Sequence, residues 1–348
     1  MGNQRTVRML ESFGYQVRVI RRLRSKSSES RLQIWLMYPL RFLGNVFACL
    51  GVLSVGKRKG SIVHVSGFYG PTIPIESVQV FLVKLLGYHL VYEMRGGGAE
   101  NYYTQGSKSY KRQFRRIVNK ADYIFSQGKE NETLLHSLCQ TPVYYYPNCV
   151  RQGFYPELLP QKPADVINLL FFGRIEKEKH PDLIIEAASI LQKQFAQVRL
   201  TMVGKGKRDY IEQLKAQMEQ QLLPGSFVFL PGCEHSLLPA LLTDQHFYVF
   251  PSTQPREGQS NAVTEAMSFG IIPIASGQGF NRSTIGDDAL IVEELTATAY
   301  ADRMAALIRE GSLNRYSERV YRRFCENYTE EVVFERMATV YHTIMQGL

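Results

Sequence analysis

The sequence has few cysteines, and none of them is spaced for pairing. Its 348 residues include five cysteines and no Cys-x-x-Cys motif. Domains held together by disulfides and cysteine-bound zinc sites need cysteines at close, regular spacing. The absence of such spacing argues against both classes. The lack of paired cysteines also favours a location in a reducing compartment. The cysteines are Cys49, Cys139, Cys149, Cys233 and Cys325.

Acidic residues are scarce in the first part of the chain. Residues 1–150 hold 21 Lys and Arg against 8 Asp and Glu, a balance of +13, whereas residues 151–348 hold 20 against 24, a balance of −4. The two balances add up to the net charge of +9. A basic part followed by a slightly acidic part suggests two domains with different partners, and the length suits two domains.

An uninterrupted apolar segment long enough for a membrane span is also missing. The candidate, Leu32–Val55, contains Pro39 and Arg41 near its middle. An arginine at the centre of a membrane helix costs about 2.5–3.5 kcal/mol on insertion scales. We therefore predict a buried or interfacial helix here, with a membrane span as the less favoured alternative.

The second half of the chain alternates short apolar runs with amphipathic segments. This alternation predicts a parallel, doubly wound α/β sheet, whose ligands bind beyond the carboxyl ends of the strands. The predicted strands are 168–172, 198–203, 226–230, 246–250, 271–275 and 290–292, and the predicted helices are 181–195, 208–222, 236–243, 262–269 and 298–309.

The first half is less regular. The predicted strands are 16–21, 61–66, 89–92 and 123–126, and the predicted helices are 1–13, 75–86, 108–121 and 129–138. The helix 108–121 carries five cations and no acid on one face. Further cations cluster between residues 18 and 31 and at residues 57–59. We predict that these cations bind an anionic membrane surface, with simple solvation as the alternative.

A glycine run, Arg95-Gly96-Gly97-Gly98, follows one of the predicted strands of the first half. Glycines at the carboxyl end of a parallel strand allow a ligand to approach the backbone closely. The alternative is a flexible loop. His64, inside another predicted strand, is expected to be a hydrogen-bonded core histidine and not a catalytic one.

The most informative stretch lies between the fourth and fifth predicted strands of the second half. Glu257 and Gly258 lie in a polar loop, and Glu265 lies in a short helix that begins at Ser260 or Asn261. Free backbone N–H groups at a helix N-terminus favour an anion. Two carboxylates beside such a site suit a ligand with hydroxyls and phosphates, such as a sugar nucleotide. The alternative is two solvated carboxylates beside a helix cap.

The segment from Glu257 to Glu265 resembles the Glu-x7-Glu motif of family 4 glycosyltransferases. These are retaining enzymes with the GT-B fold, an α/β fold of two doubly wound Rossmann-like domains with a cleft between them. Gly173 to Lys179 is similar to the Gly-Arg-x4-Lys segment of the same family, although His180 stands where the family usually has glycine.

The resemblance implies a role for each matching residue. Arg174 and Lys179 would neutralise the departing nucleoside diphosphate, Glu257 would bind a hydroxyl of the donor sugar, and Glu265 would bind the ribose. The catalytic residues implied are Glu257, Arg174 and Lys179. The donor-binding residues implied are Gly173, Arg174, Lys179, Gly204, Gly206, Gly232, Glu257, Gly258, Gln259, Ser260, Asn261, Ala262 and Glu265. Arg95, Gly96 and Gly97 would face the acceptor side of the cleft.

The sequence contains no Asp-x-Asp motif. Metal-dependent glycosyltransferases of the other large fold use that motif to hold a divalent ion against the diphosphate. Its absence fits the GT-B fold, in which Arg, Lys and a helix dipole stabilise the same charge. We therefore expect no metal and no cofactor, with the nucleotide sugar acting as a substrate.

The resemblance also implies a domain organisation. Residues 1–150 would form an acceptor-binding domain, 151–166 a linker, 167–312 a nucleotide-sugar-binding domain, and 313–348 helices that brace the first domain. The first strand of the N-terminal domain is missing from its expected place before helix 1–13. We expect the reading frame to continue upstream and to encode it; the alternative is that this domain has lost its first strand.

These observations predict a retaining glycosyltransferase that moves a sugar from a nucleotide donor to a glycan or lipid-linked acceptor in cell-surface polysaccharide synthesis. The expected location is the cytoplasm, on the inner face of the membrane. One alternative is a sugar-nucleotide epimerase of the same fold. Another is a basic nucleic-acid-binding protein, but no nucleic-acid-binding module is recognisable and two carboxylates in the key loop oppose it.

Overall fold

A computed structural model describes residues 2–20, 23, 30–56, 60–67, 69–70 and 72–347. The chain divides into two compact units. Unit 1 consists of Met1–Tyr146 and Phe334–Leu348, and unit 2 consists of Pro147–Val333. Most of the cations predicted to cluster between residues 18 and 31, and all of those at 57–59, lie outside the described residues.

Unit 1 is built on a four-stranded parallel sheet in the order β1-β2-β3-β4. The strands are β1 (Ile62–Gly67), β2 (His89–Met94), β3 (Tyr123–Ser126) and β4 (Val143–Tyr145). The helices are α1 (Gly2–Ser12), α2 (Arg31–Val55), α3 (Ile73–Leu85), α4 (Ala99–Gln105), α5 (Lys108–Lys120) and α6 (Glu130–Leu138). The strand predicted at 16–21 is wrong, because residues 15–20 pair with no other strand.

A buried polar cluster lies where β1 and β2 run side by side in unit 1. Glu93, 1% exposed, accepts hydrogen bonds from Nε2 of His64 at 2.9 Å and from Nε of Arg95 at 2.7 Å. The other imidazole nitrogen of His64 lies 2.8 Å from the hydroxyl of Tyr341. Both nitrogens of His64 are therefore satisfied within unit 1, as expected for a core histidine.

The second half of helix α2 is fixed to unit 1 along one face, whereas residues 32–40 are exposed on all faces. Asn45, Cys49 and Leu53 are buried, and the hydroxyl of Tyr88 donates to the carbonyl of Leu53 at 2.7 Å. Only 17% of the most apolar stretch of α2 is buried, although the helix is long and apolar enough to cross a membrane. The predicted helix is present; of the two environments expected for it, burial is wrong, and an interfacial position stays a prediction.

Unit 2 contains a six-stranded parallel sheet in the order β10-β9-β8-β5-β6-β7. The strands are β5 (Ile167–Ile175), β6 (Val198–Gly206), β7 (Phe227–Pro231), β8 (Phe247–Phe250), β9 (Ile272–Ser276) and β10 (Ile291–Val292). The helices are α7 (Pro181–Gln192), α8 (Arg208–Gln221), α9 (Leu238–Leu242), α10 (Asn261–Met267), α11 (Asn281–Ile285), α12 (Ala297–Arg309) and α13 (Leu313–Asn327). Helix α14 (Glu330–Gln346) begins in unit 2 and ends in unit 1.

The strand order of unit 2 determines where a ligand can bind. The chain builds outward from β5 to β7 on one side and from β8 to β10 on the other. The order therefore reverses between β5 and β8, and open α/β sheets bind ligands beyond the carboxyl ends of the strands at such a point. The loops that follow β5 and β8 carry Lys179 and Glu257.

Candidate functional site

Lys179 and Glu257 meet at the reversal point of the sheet in unit 2. The ammonium of Lys179 is hydrogen-bonded to Oε2 of Glu257, and the two side chains are 10% and 12% exposed. The same oxygen accepts from the hydroxyl of Ser252 at 3.0 Å. The Lys179 ammonium also lies 4.6 Å from the centroid of the Phe250 ring, close enough for a cation–π interaction. The motif residues therefore form a compact, nearly buried ion pair.

The loops after β5 and β8 are tied to each other. Nε2 of His180 lies 2.8 Å from Oγ1 of Thr253, and the backbone N–H of Thr253 donates to the carbonyl of Glu178 at 2.8 Å. His180 has a φ of +48° and occupies the left-handed position before α7. A left-handed position favours glycine, which explains why the family usually has glycine there. The contact with Thr253 uses the side chain that glycine lacks.

Glu265 lies on α10, where its carboxylate contacts His235. Oε1 of Glu265 is 2.9 Å from Nε2 of His235, and the imidazole ring stacks on Phe154 with centroids 4.5 Å apart. The hydrogen bond to Glu265 raises the pKa of His235. Sequence reasoning missed His235, because it belongs to no motif and lies 30 residues from Glu265, and it did not assign Phe154 to the site.

Gln259, in the loop before α10, uses its side-chain amide to hold the first residues of unit 2. It is 6% exposed, accepts from the backbone N–H of Asn148 at 2.5 Å, and donates to the carbonyl of Asn148 at 3.1 Å. The Asn148 amide also donates to Oδ1 of Asn261 at 2.8 Å. The side chains of Gln259 and Asn261 thus position the loop. Ser260 precedes α10 as its N-cap, without a side-chain capping bond, and Gly258 and Ala262 are half-buried.

Two of the predicted donor-binding glycines have structural reasons to be glycine. A Cβ at Gly204 would lie 2.1 Å from the carbonyl oxygen of Gly173, and one at Gly206 would lie 2.4 Å from that of Ile175. Both glycines lie within β6, which pairs with β5 through these residues. A Cβ at Gly232 would meet only the flexible side chain of Lys205. Close strand pairing accounts for Gly204 and Gly206 without a ligand.

Arg174 is the most exposed of the predicted catalytic residues. Its side chain is 70% exposed and forms an ion pair with Glu176, with an N–O distance of 2.7 Å. Exposed pairs of this kind stabilise a protein by at most about 1 kcal/mol. The guanidinium of Arg174 can therefore leave Glu176 for a stronger partner at little cost.

Two hydrogen bonds hold the glycine run of unit 1. The backbone N–H of Gly96 donates to Oε1 of Gln127 at 3.0 Å, and the carbonyl of Gly97 accepts from the hydroxyl of Tyr69 at 2.6 Å. The Arg95 side chain is 14% exposed, and its guanidinium binds Glu93 in the buried cluster. Arg95 thus supports the sheet edge on which Gly96 and Gly97 lie.

No group of three or more metal-ligating side chains was found in the described part of the chain. The site is instead composed of one buried lysine, two glutamates and a set of fixed loops.

Comparison with known proteins identifies the region that carries this site. Residues 160–323 match the family model of the glycosyl transferases group 1. They are a group 1 glycosyltransferase domain. The predicted resemblance to this group is confirmed for these residues, and Arg174, Lys179, Glu257 and Glu265 all lie inside this group 1 domain.

One curated relative is a component of the phosphatidylinositol N-acetylglucosaminyltransferase of Arabidopsis thaliana. The two proteins are 23% identical over 177 residues, which is 51% of this chain and 39% of that protein. The chain thus matches well under half the length of that relative.

Several solved structures have a similar fold over most of this chain. The sucrose-phosphate synthase of Thermosynechococcus elongatus has a TM-score of 0.68 at 17% identity, covering 92% of this chain and 81% of that one. HepE of Anabaena, in complex with UDP, has a TM-score of 0.68 at 14% identity, covering 88% and 84%. The pneumococcal O-GlcNAc transferase GtfA, in complex with UDP and GlcNAc, has a TM-score of 0.66 at 17% identity, covering 86% and 60%. These likenesses confirm the predicted GT-B fold of two Rossmann-like domains.

Proposed function

We propose that the protein is a retaining glycosyltransferase that moves a hexose from a nucleoside diphosphate sugar to a glycan or lipid-linked acceptor. The observation that carries this proposal is the Lys179–Glu257 ion pair at the reversal point of the group 1 domain. A glycosyltransferase needs a positive charge beside the diphosphate and an acceptor of hydrogen bonds beside the sugar. The pair supplies both within one contact.

The chemistry follows from the charges that change during transfer. The bond between the anomeric carbon and the diphosphate oxygen breaks, and the diphosphate leaves with the electron pair. Lys179 and Arg174 stabilise the negative charge that develops, which is the largest type of catalytic contribution in most enzymes. A hydroxyl of the acceptor forms the new bond to the anomeric carbon, and its proton passes to the oxygen of the departing diphosphate. Glu257 fixes a sugar hydroxyl, and Glu265 binds the ribose.

A donor panel tests this proposal. UDP-, GDP-, ADP- and TDP-linked hexoses are incubated with the protein and a lipid extract, and release of the nucleoside diphosphate is measured. We expect release from one base class only, and loss of that release in Glu265→Gln. The proposal fails if no donor is consumed, or if Glu265→Gln consumes it at the rate of the parent protein.

We predict that activity needs no divalent ion. The proposal assigns the neutralisation of the diphosphate to Lys179 and Arg174, and the sequence contains no Asp-x-Asp motif to hold a metal. Release of nucleoside diphosphate should therefore continue unchanged in excess EDTA. Complete loss in EDTA, restored by manganese, would contradict the prediction.

We propose that the acceptor is linked to a lipid and that the protein reaches it from the membrane surface. The support comes from α2, whose outer face carries an apolar stripe that is 50–66% exposed. Its members recur at helical spacing on one face: Leu32, Leu36, Leu40, Leu43 and Phe47. An exposed apolar surface of this length marks an interaction site. Because the second half of α2 is fixed to unit 1 through Asn45, Cys49 and Leu53, on the side away from this stripe, we infer that the helix lies in the plane of the membrane interface.

The charge of unit 1 favours a lipid surface as the occupant of the α2 stripe. Lys108, Arg112 and Arg116 are exposed on α5, whereas its apolar residues Phe114 and Ile117 are buried. Each cation near an anionic leaflet contributes about 1 kcal/mol of binding. Three such cations and one apolar helix suffice for reversible attachment, and we propose that the protein is peripheral on the inner membrane face in polysaccharide synthesis.

Flotation with vesicles of phosphatidylglycerol and phosphatidylcholine measures this attachment. Leu36→Glu/Leu40→Glu should abolish flotation at any salt concentration, because it places two charges on the apolar stripe. Lys108→Gln/Arg112→Gln/Arg116→Gln should weaken binding at least about tenfold and remove most of its dependence on salt.

A control variant carries the same charge loss on unit 2. Lys193→Gln/Arg199→Gln/Arg315→Gln removes three exposed cations there and should float as the parent protein does. If the parent protein stays at the bottom of the gradient with every vesicle, the membrane proposal is wrong. If the α2 variant instead converts a dimer to a monomer, the stripe is an interface between two copies.

A further inference from the structure

His235 is the one residue of the candidate site that contacts Glu265 through an ionisable ring. The Glu265 side chain is 14% exposed, whereas that of His235 is 50% exposed. The planes of the imidazole and the Phe154 ring are inclined by 23°, so Phe154 covers one ring face. The ring is thus held between a carboxylate at its edge and an aromatic ring on its face.

We propose that His235 is a positioning residue for the donor nucleotide. It donates from Nε2 to Oε1 of Glu265 and leaves the other carboxylate oxygen oriented for the ribose hydroxyls. The proposal rests on the proposed function, because it takes Glu265 as the group that binds ribose.

The physical reason lies in the freedom of a glutamate side chain. A free glutamate has three rotatable side-chain bonds and loses about 1–2 kcal/mol of conformational entropy when a ligand immobilises it. A hydrogen bond from His235 immobilises the carboxylate before the ligand arrives, which improves affinity by preorganisation. Phe154 in turn fixes the imidazole, and a hydrogen bond from a charged imidazole is roughly twice as strong as one from a neutral donor.

Protonation of His235 makes the affinity for the donor nucleotide depend on pH. Two charged groups act on it: Glu265 on α10 favours protonation, and Arg151, near the start of unit 2, opposes it. The hydrogen bond to Glu265 is the larger influence and raises the pKa of His235. The protonated ring holds Glu265 most firmly and adds positive charge beside an anionic ligand. Donor affinity should therefore be highest below this pKa and fall as the pH rises through it.

Calorimetric titration of the sugar nucleotide that the parent protein binds, between pH 5.5 and 8.5, tests the proposal. A sugar nucleotide is used because its diphosphate is esterified at both ends and does not titrate in this range. We expect affinity to fall several-fold across the range. His235→Gln keeps a hydrogen-bond donor at this position but removes the group that titrates. The affinity of this variant for the sugar nucleotide should therefore be nearly independent of pH. His235→Leu should lose about tenfold at low pH.

Two comparisons show whether His235 acts through Glu265. His136→Leu removes an exposed histidine of unit 1 and should keep both the affinity and the pH profile. In a Glu265→Gln background, titrated at ligand concentrations high enough to measure its weaker binding, His235→Leu should cause no further loss, because the carboxylate that His235 holds is gone. Equal losses in both backgrounds, or a pH profile that survives in His235→Gln, would overturn the proposal. A parent protein that binds none of the UDP, GDP, ADP or TDP sugars would overturn the proposed function with it.

Discussion

Glu257→Gln should lower the turnover of the donor sugar by about 100-fold. Glutamine keeps the shape of the side chain but removes the negative charge that holds Lys179 and fixes the sugar hydroxyl. A hydrogen bond to a charged group stabilises by about 1.5–3 kcal/mol, which corresponds to about 10–100-fold in rate. The larger figure is expected here because Lys179 also loses its fixed position beside the diphosphate.

The same substitution should also destabilise unit 2, and the two effects can be separated. Removing one partner of a nearly buried ion pair leaves the Lys179 ammonium uncompensated and costs about 3 kcal/mol or more. Lys179→Met in the Glu257→Gln background removes that charge. The double variant should therefore regain most of the lost stability while its turnover stays low.

Thermal unfolding and a rate measurement on the four proteins of this cycle check the prediction. A turnover of Glu257→Gln within about threefold of the parent protein would contradict a catalytic role for the pair. Recovery of turnover together with stability in the double variant would show that the loss came only from unfolding.

Glu93→Gln should destabilise unit 1 by about 3–5 kcal/mol, because it leaves the Arg95 guanidinium, 14% exposed, without its counter-charge. Burial alone would raise the pKa of Glu93, but the hydrogen bond from His64 and the charge of Arg95 outweigh it and lower the pKa from 4.5 to about 2. A carboxyl whose pKa is lower in the folded state than in the unfolded state stabilises the fold at pH values above its unfolded-state pKa. This stabilisation, roughly 3 kcal/mol, is complete above pH 4.5 and is lost as the pH falls toward 2.

Urea unfolding between pH 3 and 7, with hydrogen exchange to localise the change to unit 1, measures both effects. The parent protein should lose stability steeply below pH 4.5, and Glu93→Gln should start lower and show a shallower acid dependence. Asp288→Asn is a matched control, since Asp288 is 85% exposed in an ion pair with Arg282 and should contribute less than about 1 kcal/mol. The account of the buried cluster is wrong if the two variants unfold alike.

The fold of unit 2 was predictable because its strands and helices are regular. All six predicted strands and all five predicted helices are present, with ends shifted by up to three residues. The largest extensions are at β5 and β6, which continue to Ile175 and Gly206. The Gly-x-Gly pattern predicted a ligand-binding loop after the second of these strands. In the structure Gly204 and Gly206 lie within the strand and allow β5 and β6 to approach closely.

Unit 1 was less predictable because its short elements depend on contacts distant in sequence. Alternation alone suggested a strand at 16–21, but a strand also needs a partner, and none lies beside residues 15–20. The short strand β4 was missed. Likewise, no local pattern reveals that Arg95 binds Glu93, or that α2 presents its apolar stripe outward.

The residues of the candidate site that belong to sequence motifs were predictable. Glu257 and Lys179 come from two motifs 78 residues apart, and the structure brings them into direct contact. The partners that lie outside the motifs, such as His235 beside Glu265 and Asn148 beside Gln259, could only be found from the coordinates.

A thermal-shift screen with UDP, GDP, ADP and TDP sugars tests the central claim most directly. A ligand at 100 times its dissociation constant stabilises the folded protein by about 2.7 kcal/mol. For a domain of the size of unit 2 this corresponds to a rise in melting temperature of roughly 5–10 °C. We expect such a rise with the sugars of one base, and its loss in Glu265→Gln. No rise with any of the four, or an undiminished rise in Glu265→Gln, would contradict a nucleotide-sugar site built on Lys179, Glu257 and Glu265.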